Sequence, residues 1–200
     1  MSSKRIGIYA GTFDPVHAGH VAFALQAVAA AKLDKLYFVP ERRPRHKQHV
    51  EHFGHRVAML KQAIKPHPQF AVLELPDVQF TVQHTLPRLY EQFAADDLVF
   101  LFGSDIVSRI SEWPAAERLL GRHELIIGVR GQDDQEALKQ AISSWPLQPL
   151  AVTLLVSHAP DVSSGKIRQA LRGGQTTKGS LASVARYSNQ HWLYVQVPEA

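Results

Sequence analysis

The sequence contains no cysteine, which excludes disulfide frameworks, thiolate metal sites and cysteine nucleophiles. It also lacks a long hydrophobic segment. The longest apolar run, Val21 to Ala31, is interrupted by Gln26 and is shorter than the ~18–20 residues needed to cross a bilayer. The N-terminal residues MSSKRIGIYAGTF contain no apolar core of the length found in signal peptides. We therefore expect a cytoplasmic protein with no membrane partner.

Internal repeats and low-complexity tracts are also missing from the 200 residues. With 45% hydrophobic and 20% charged residues, the chain can bury a core and does not resemble a disordered tail. At roughly 100–200 residues per domain, this length predicts a single domain over residues 1–200.

The net charge of +4 is concentrated in one part of the chain. Residues 1–66 contain eleven Lys and Arg against four Asp and Glu, whereas residues 67–200 contain eleven against fourteen. A protein that coats nucleic acid would be basic throughout. This distribution therefore predicts a local site for an anionic partner and no nucleic-acid partner.

Short apolar segments alternate with segments of helical periodicity along the chain. The predicted strands are residues 5–10, 36–39, 70–75, 98–102, 125–129 and 151–156, and the predicted helices are residues 18–32, 55–64, 81–93, 114–120, 135–143 and 166–172. This alternation is typical of a parallel sheet with crossover helices, so the fold class is α/β. Residues 173–200 are predicted to be an atypical C-terminal segment that ends in a strand or extended tail over residues 192–197.

Residues 11–17, which we call the signature loop, join the first predicted strand to the first predicted helix. Ligands of open parallel sheets bind at such strand ends. The G-x-G-x-x-G and P-loop patterns are absent, but His17 and His20 are three residues apart and share one face of the first helical turn. Because helix N-terminal amides attract anions and imidazoles add donors, the segment predicts a phosphate site. A bare pair of histidines at this spacing would more often belong to a partly buried helix start.

The sequence around this pair resembles the G-x-F-x-P-x-H-x-G-H signature of the nucleotidylyltransferases. All six defining residues are present: Gly11, Phe13, Pro15, His17, Gly19 and His20. Later segments resemble, in the same order, the bacterial nicotinate-nucleotide adenylyltransferases: Val39-Pro40 with Pro44 to Lys47, His55 to Leu60, Phe80 to Val82, Phe102 to Asp105 with Trp113, Ile127 to Arg130, and Val162 to Arg168. The resemblance implies a Rossmann-like fold with a mainly parallel central sheet flanked by helices.

The resemblance also implies an activity: transfer of AMP from ATP to nicotinate mononucleotide, giving deamido-NAD and pyrophosphate in NAD biosynthesis. It implies catalytic roles for His17, His20, Lys47 and Arg168. The ATP contacts that it implies are Gly11, Thr12, Phe13, His17, His20, Gly103, Asp105, Ser163, Ser164, Ile167 and Arg168. Those to the pyridine mononucleotide are Thr12, Lys47, Thr81, Trp113 and Arg130. Mg²⁺ would accompany the ATP phosphates, without a metal site of the protein's own.

Each implied role has a chemical basis and a structural alternative. Lys47 offers a mobile point charge to a triphosphate, and Arg168 a forked donor to a phosphate. Asp105 can accept hydrogen bonds from ribose hydroxyls or cap a helix. Trp113 offers a flat face to a pyridine ring or fills a core. The backbone amide of Thr81 can bind the pyridine carboxylate, or Thr81 can cap its helix.

Gly165 replaces the threonine of the family pattern, which removes one hydroxyl from the start of the phosphate-side helix. A second departure leaves alternatives open, because one extra residue lies between Thr81 and Thr85, near the expected pyridine pocket. The acceptor could therefore be nicotinamide mononucleotide or phosphopantetheine, with adenylyl or cytidylyl transfer. A non-catalytic nucleotide- or RNA-binding module is a further alternative, but aromatic residues are not interleaved with the basic stretch.

The histidines at positions 46, 49, 52 and 55 form a ladder with a spacing of three. On a straight helix each step of three residues rotates the side chain by about 300°, so the four cannot converge on one ion. We therefore interpret His46 as a possible phosphate contact and the other three as loop histidines.

Overall fold

The computed structural model describes residues 3–45, 47, 49–94, 96–131, 133–157 and 161–195. Within these residues six parallel strands form one sheet in the order β3-β2-β1-β4-β5-β6. The strands are β1 (Arg5–Gly11), β2 (Lys35–Pro40), β3 (Phe70–Val72), β4 (Asp97–Gly103), β5 (Glu124–Val129) and β6 (Ala151–Val156). The predicted α/β class with a Rossmann-like parallel sheet is therefore confirmed.

Helices connect the strands and cover both faces of the sheet. They are α1 (Ala18–Ala31), α2 (Phe53–Ile64), α3 (Thr85–Gln92), α4 (Ala116–Leu120), α5 (Gln135–Ser143), α6 (Ser164–Arg172) and α7 (Ala182–Gln190). Two short 3₁₀ helices, Ser104–Ile106 and Ile110–Glu112, follow β4. None of the helices in the described part of the chain combines the length and apolar character needed to span a bilayer.

The core consists of two main layers, one on each face of the sheet. On one face, side chains of the central strands such as Ile8 and Phe100 pack against Leu86 and Leu89 of α3. On the other face, α1, α2 and α7 bury the second layer, whose members include Ala24, Met59, Leu60, Phe38 and Val184. Because helices cover both faces of the sheet, the side chains on both sides of the central strands are buried. This explains why these strands are short continuous apolar runs in the sequence.

The structure corrects three of the predicted elements. Strand β3 ends at Val72 because Pro76 and a turn follow it, and α3 begins only at Thr85. The C-terminal segment contains a helix, α7, that the sequence did not predict. Its buried face consists of Val184, Ala185 and Ser188, and these residues give too weak an apolar pattern to be noticed. The described part of the predicted terminal strand, residues 192–195, forms a turn instead.

Candidate active site

The signature loop lies at the carboxyl end of β1, where the strand order of the sheet reverses between β1 and β4. Gly11 is needed there because a Cβ atom at this position would lie 2.9 Å from the ring of Phe13. Phe13 itself has a φ of +51° and is buried, so it turns the chain sharply above the strand. The loop therefore opens the crevice in which parallel α/β sheets bind their ligands.

His17 and His20 lie together at the start of α1, as their spacing predicts. Their rings are stacked, with centroids 3.7 Å apart and an angle of 27° between the planes. The backbone N–H of His17 donates a hydrogen bond of 3.2 Å to Nδ1 of His20. Since Nδ1 of His20 acts as an acceptor, a neutral His20 carries its proton on Nε2 and can donate it to a ligand.

Both imidazoles are held neutral. Burial, with a smaller contribution from the charge of Arg130, lowers the pKa of His17 to about 4. Burial and the charges of His17, Lys47 and Arg130 lower the pKa of His20 well below its ordinary value. The sequence alone does not determine whether the two imidazoles are neutral or cationic. Their surroundings in the structure favour the neutral form at physiological pH. In the described part of the chain, Nδ1 of His17 is buried without a hydrogen-bond partner.

Arg56 joins the signature loop to residues 41–51, which we call the basic loop. Its side chain is fully buried, and the guanidinium donates to the backbone carbonyls of Thr12 (2.7 Å), Glu41 (2.8 Å), Arg42 (3.0 Å) and Glu51 (2.9 Å). These bonds satisfy a buried charge without a directly paired carboxylate. Arg56 therefore fixes both ends of the basic loop relative to the signature loop.

Lys47, in the middle of the basic loop, reaches the signature loop. Its ammonium donates a hydrogen bond of 2.9 Å to Oγ1 of Thr12. Burial lowers the pKa of Lys47, although the charges of Glu41 and Asp105 oppose this shift. His46, the predicted phosphate contact beside it, lies outside the described residues.

Arg168 on α6 also reaches the signature loop. Its Nη1 donates to the backbone carbonyl of Asp14 at 2.5 Å and lies 3.8 Å from Oδ2 of the same residue. The Asp14 side chain is buried, whereas that of Arg168 is about one-third exposed. Asp14 therefore binds one nitrogen of the Arg168 guanidinium. The other N–H groups of this guanidinium are available to a ligand.

The start of α6 faces the same crevice, but its side chains are used differently from the prediction. The hydroxyl of Ser163 caps the helix by accepting from the N–H of Lys166, and the hydroxyl of Ser164 donates to the carbonyl of Pro15 at 2.9 Å. The N–H groups of Ser164 and Gly165 come before the first intrahelical bond and are thus the available donors. The side chain of Ile167 is buried with Leu171, and its contact with ATP stays a prediction.

Two adjoining cavities occupy the crevice, with volumes of about 590 and 700 Å³. The first is lined by part of the signature loop (Thr12, Phe13, Asp14 and His17), by His20 and by the start of α6, including Ser163, Ser164 and Arg168. The second contains Gly11, Thr81, Asp105 and Trp113. Several side chains line both and therefore form the wall between them: Tyr9, Thr12, Phe13, His20, Lys47 and Arg130.

The residues that line each cavity show where the predicted ATP contacts lie. Gly103 borders both cavities, but Gly11 and Asp105 border only the second, together with the predicted pyridine contacts. Asp105 is exposed, and no side-chain cap is formed at the start of the 3₁₀ helix that contains it. Its carboxyl group is therefore free to meet a ligand in the second cavity.

The second cavity contains the predicted aromatic surface. Trp113 is half-buried and packs edge-to-face against Phe102, with ring centroids 5.7 Å apart. The Thr81 prediction fails in one respect, because its N–H already donates to Oγ1 of Thr85 at 3.0 Å. In the described chain the N–H groups of Val82 and Gln83, in the same turn, form no hydrogen bond. Thr81 does not cap α3 either, since this helix begins four residues later.

Several residues of the site were missed at the level of sequence. Arg56 stands in a segment that resembles the family, but nothing in that segment of the sequence indicates its contacts with backbone carbonyls. Asp14 lies inside the signature, at a position that the pattern leaves open. Tyr9, Glu41 and Arg109 line the cavities as well, and only their positions beside predicted strand ends could have indicated this.

The charges that line the first cavity suit an anion. Lys47, Arg130, Lys166 and Arg168 outnumber Asp14 and Asp161, and Asp14 is already engaged by the protein. Among the described residues, no group of three His, Asp or Glu side chains is arranged to hold a metal ion.

Comparison with known proteins places this site in a family. The model of the cytidylyltransferase-like family matches residues 8–170. A protein of Thermus thermophilus, named probable nicotinate-nucleotide adenylyltransferase, is 32% identical over 95% of this chain and 99% of its own length. A Neisseria meningitidis protein of the same name is 29% identical over 96% and 98%. The fold matches that of a Plasmodium falciparum nicotinic acid mononucleotide adenylyltransferase solved in complex with NaAD, with a TM-score of 0.76, 21% identity and coverage of 96% and 97%.

Proposed function

The chain belongs to the nicotinate-nucleotide adenylyltransferases within the cytidylyltransferase-like family, and we propose that it transfers AMP from ATP to nicotinate mononucleotide. The products are deamido-NAD and pyrophosphate. The reaction belongs to the biosynthesis of NAD.

One observation carries the proposal: the two cavities meet at a wall that contains His20, Lys47 and Arg130. An adenylyl transfer needs two nucleotides side by side with a phosphate of each at their border. A protein that binds a single nucleotide would need only one cavity. The arrangement of donors between two spaces therefore supports a reaction that joins two phosphates.

The chemistry requires no nucleophile from the protein. A phosphate oxygen of the mononucleotide attacks the α-phosphorus of ATP, and the bond from that phosphorus to the oxygen bridging to the β-phosphate breaks. The bridging oxygen leaves with pyrophosphate, so one P–O bond forms as another is lost. The protein aligns the two phosphates and stabilises the charge that develops on the oxygens.

His17 and His20 supply neutral donors to the ATP phosphates. Because His20 keeps Nδ1 as an acceptor for the N–H of His17, its proton is held on Nε2 in one fixed tautomer. A donor held in place before the reaction needs no reorganisation when charge develops. This is the role that we assign to His20 at the α-phosphate, with His17 beside it.

The departing pyrophosphate is bound by Lys47, Arg168 and the N–H groups at the start of α6. The helix terminus adds its partial positive charge to those of the two side chains. ATP enters as its magnesium complex, since Mg²⁺ keeps several waters and binds largely through substrate phosphates. The first cavity, with its excess of cations, receives this triphosphate.

The acceptor occupies the second cavity. Trp113 provides the surface on which the pyridine ring stacks, and Arg130 neutralises the phosphate at the shared wall. The donors available for the pyridine carboxylate are the N–H groups of Val82 and Gln83, in place of Thr81.

The test is a pyrophosphate-release assay of the whole chain with ATP and Mg²⁺ and a panel of acceptors: nicotinate mononucleotide, nicotinamide mononucleotide and phosphopantetheine. We expect the highest kcat/KM with nicotinate mononucleotide. A preference for another acceptor would refute the proposed substrate, and the absence of release with every acceptor would refute the transferase itself.

A further inference from the structure

Tyr9 is the third residue from the end of β1, and its ring lies beneath the signature loop. The ring centroid lies 5.3 Å from those of Phe13 and Phe23 and 5.4 Å from that of Phe38, with edge-to-face or tilted geometry. A phenylalanine could make all three contacts equally well. The aromatic packing therefore accounts for the ring of Tyr9 but not for its hydroxyl.

The hydroxyl of Tyr9 forms no hydrogen bond within the part of the chain that the structure describes, although most of the ring is enclosed. A tyrosine hydroxyl that has no partner in the protein and reaches a cavity is a donor that a ligand can use. The residue also lines both cavities. These observations together indicate that the partner belongs to a ligand.

The surroundings of Tyr9 determine what kind of group the ligand presents. Burial raises the pKa of Tyr9, and the negative charge of Asp105 adds to this effect while Arg130 opposes it. The hydroxyl is therefore a neutral donor throughout the physiological range. The ring of His20 is 6.2 Å away, so the phenol and the imidazole face the same region of the wall. Two neutral donors and the cations Lys47 and Arg130 on one wall match phosphate oxygens.

We propose that Tyr9 is a further catalytic residue, whose hydroxyl donates a hydrogen bond to an oxygen of the two phosphates that react at the wall between the cavities. The inference rests on the proposed function, because adenylyl transfer is what brings two phosphates to this wall. A neutral donor enclosed by aromatic rings is fixed before the charge develops, and its hydrogen bond strengthens as the charge on the oxygen grows.

The test compares Tyr9→Phe with the wild-type protein and with the matched control Tyr37→Phe. Tyr37 is also a half-buried tyrosine of the sheet, but it packs against Phe93 on the opposite face and lines neither cavity. Both variants keep the ring and remove one hydroxyl. We expect kcat for pyrophosphate release to fall about tenfold in Tyr9→Phe, the worth of one hydrogen bond. The KM values for ATP and nicotinate mononucleotide and the midpoint of thermal unfolding should stay near wild type, and Tyr37→Phe should keep full activity.

Three results would overturn the inference while leaving the proposed function intact, provided that the wild-type protein is active. These are a kcat of Tyr9→Phe within twofold of wild type, a loss confined to KM, and an equal loss in Tyr37→Phe. An inactive wild-type protein would refute the proposed function and the inference with it. Since that result is read from the wild-type protein alone, the two failures can be distinguished.

Discussion

The hydroxyl of Tyr194 donates a hydrogen bond of 2.7 Å to Oδ1 of Asp14, 180 residues earlier in the chain. The same aspartate accepts a bond from Arg168 through its backbone carbonyl, and the N–H of Glu51 approaches its Oδ2 at 3.4 Å. The C-terminal segment also contacts the start of α1, because the N–H of Ala18 donates to the carbonyl of Gly179 at 3.0 Å. The end of the chain thus helps to hold the signature loop in place.

We expect Tyr194→Phe to lower the free energy of unfolding by about 1–3 kcal/mol, because one oxygen of the buried Asp14 carboxyl group loses its partner. Urea denaturation at pH 7.5 measures this change. The control is Tyr187→Phe in the same C-terminal segment, where the hydroxyl bonds to a ring nitrogen of His55 and not to the signature loop. A loss no larger in Tyr194→Phe than in Tyr187→Phe would show that the contact with Asp14 is not important for stability.

We expect His20→Ala to slow pyrophosphate release by roughly 10²–10³, the loss typical of one donor to a transition state. The KM for ATP should change much less than kcat. His20→Asn keeps an acceptor close to the N–H of His17 but places no donor where Nε2 stands, so its turnover should be reduced to a similar extent. The control is His67→Ala, which lines neither cavity. Near-wild-type turnover in both His20 variants would contradict the assigned role.

The parts of the fold that the sequence predicted are those with a strong local pattern. The strands β1, β4 and β5 are apolar runs buried on both faces, and the His17–His20 spacing determines a shared helix face without help from the rest of the chain. Helix α7 could not be predicted because its burial depends on packing against α2, which lies far away in the sequence.

Within the site, the sequence predicted which residues lie close together, but it did not predict the hydrogen bonds that these residues form. Whether the N–H of Thr81 is free depends on the hydroxyl of Thr85, and whether the hydroxyl of Ser164 is free depends on the carbonyl of Pro15. Such contacts are set by the tertiary structure and leave no periodic signal. The neutral state of the histidines likewise results from burial and from Arg130, which is 113 residues away from His17 in the chain.

We expect Trp113→Ala to raise the KM for nicotinate mononucleotide about tenfold, because the pyridine ring loses its stacking surface. The KM for ATP should remain within about twofold of wild type, as expected for a change of under 0.5 kcal/mol, since Trp113 borders only the second cavity. The control is Trp192→Ala, which removes a tryptophan that is 80% exposed in the C-terminal turn and lines neither cavity. Equal changes in the two KM values would indicate that Trp113 only supports the fold.

The stability of the protein should fall on acidification because of His17. Its pKa is about 4 in the folded protein, below the ordinary 6.5, so the unfolded chain binds more protons between these two pH values. The stabilisation is therefore fully present above pH 6.5 and is lost as the pH falls towards 4, by about 3 kcal/mol at most. Urea denaturation at pH 7.5 and pH 4.5 should show a smaller difference for His17→Asn than for the wild type.

His84→Asn serves as the control for this pH dependence, because the side chain of His84 is exposed. It should keep the wild-type difference between the two pH values. His20 and His123, whose pKa values are also lowered by burial, remain in all three proteins. The charge of His17 also lowers the pKa of His20, so the His17→Asn variant reduces the contribution of His20 in the same direction. If the His17→Asn variant loses as much stability on acidification as the wild type, then the imidazole of His17 is not held neutral by the fold, and the neutral-donor role assigned to it would be wrong.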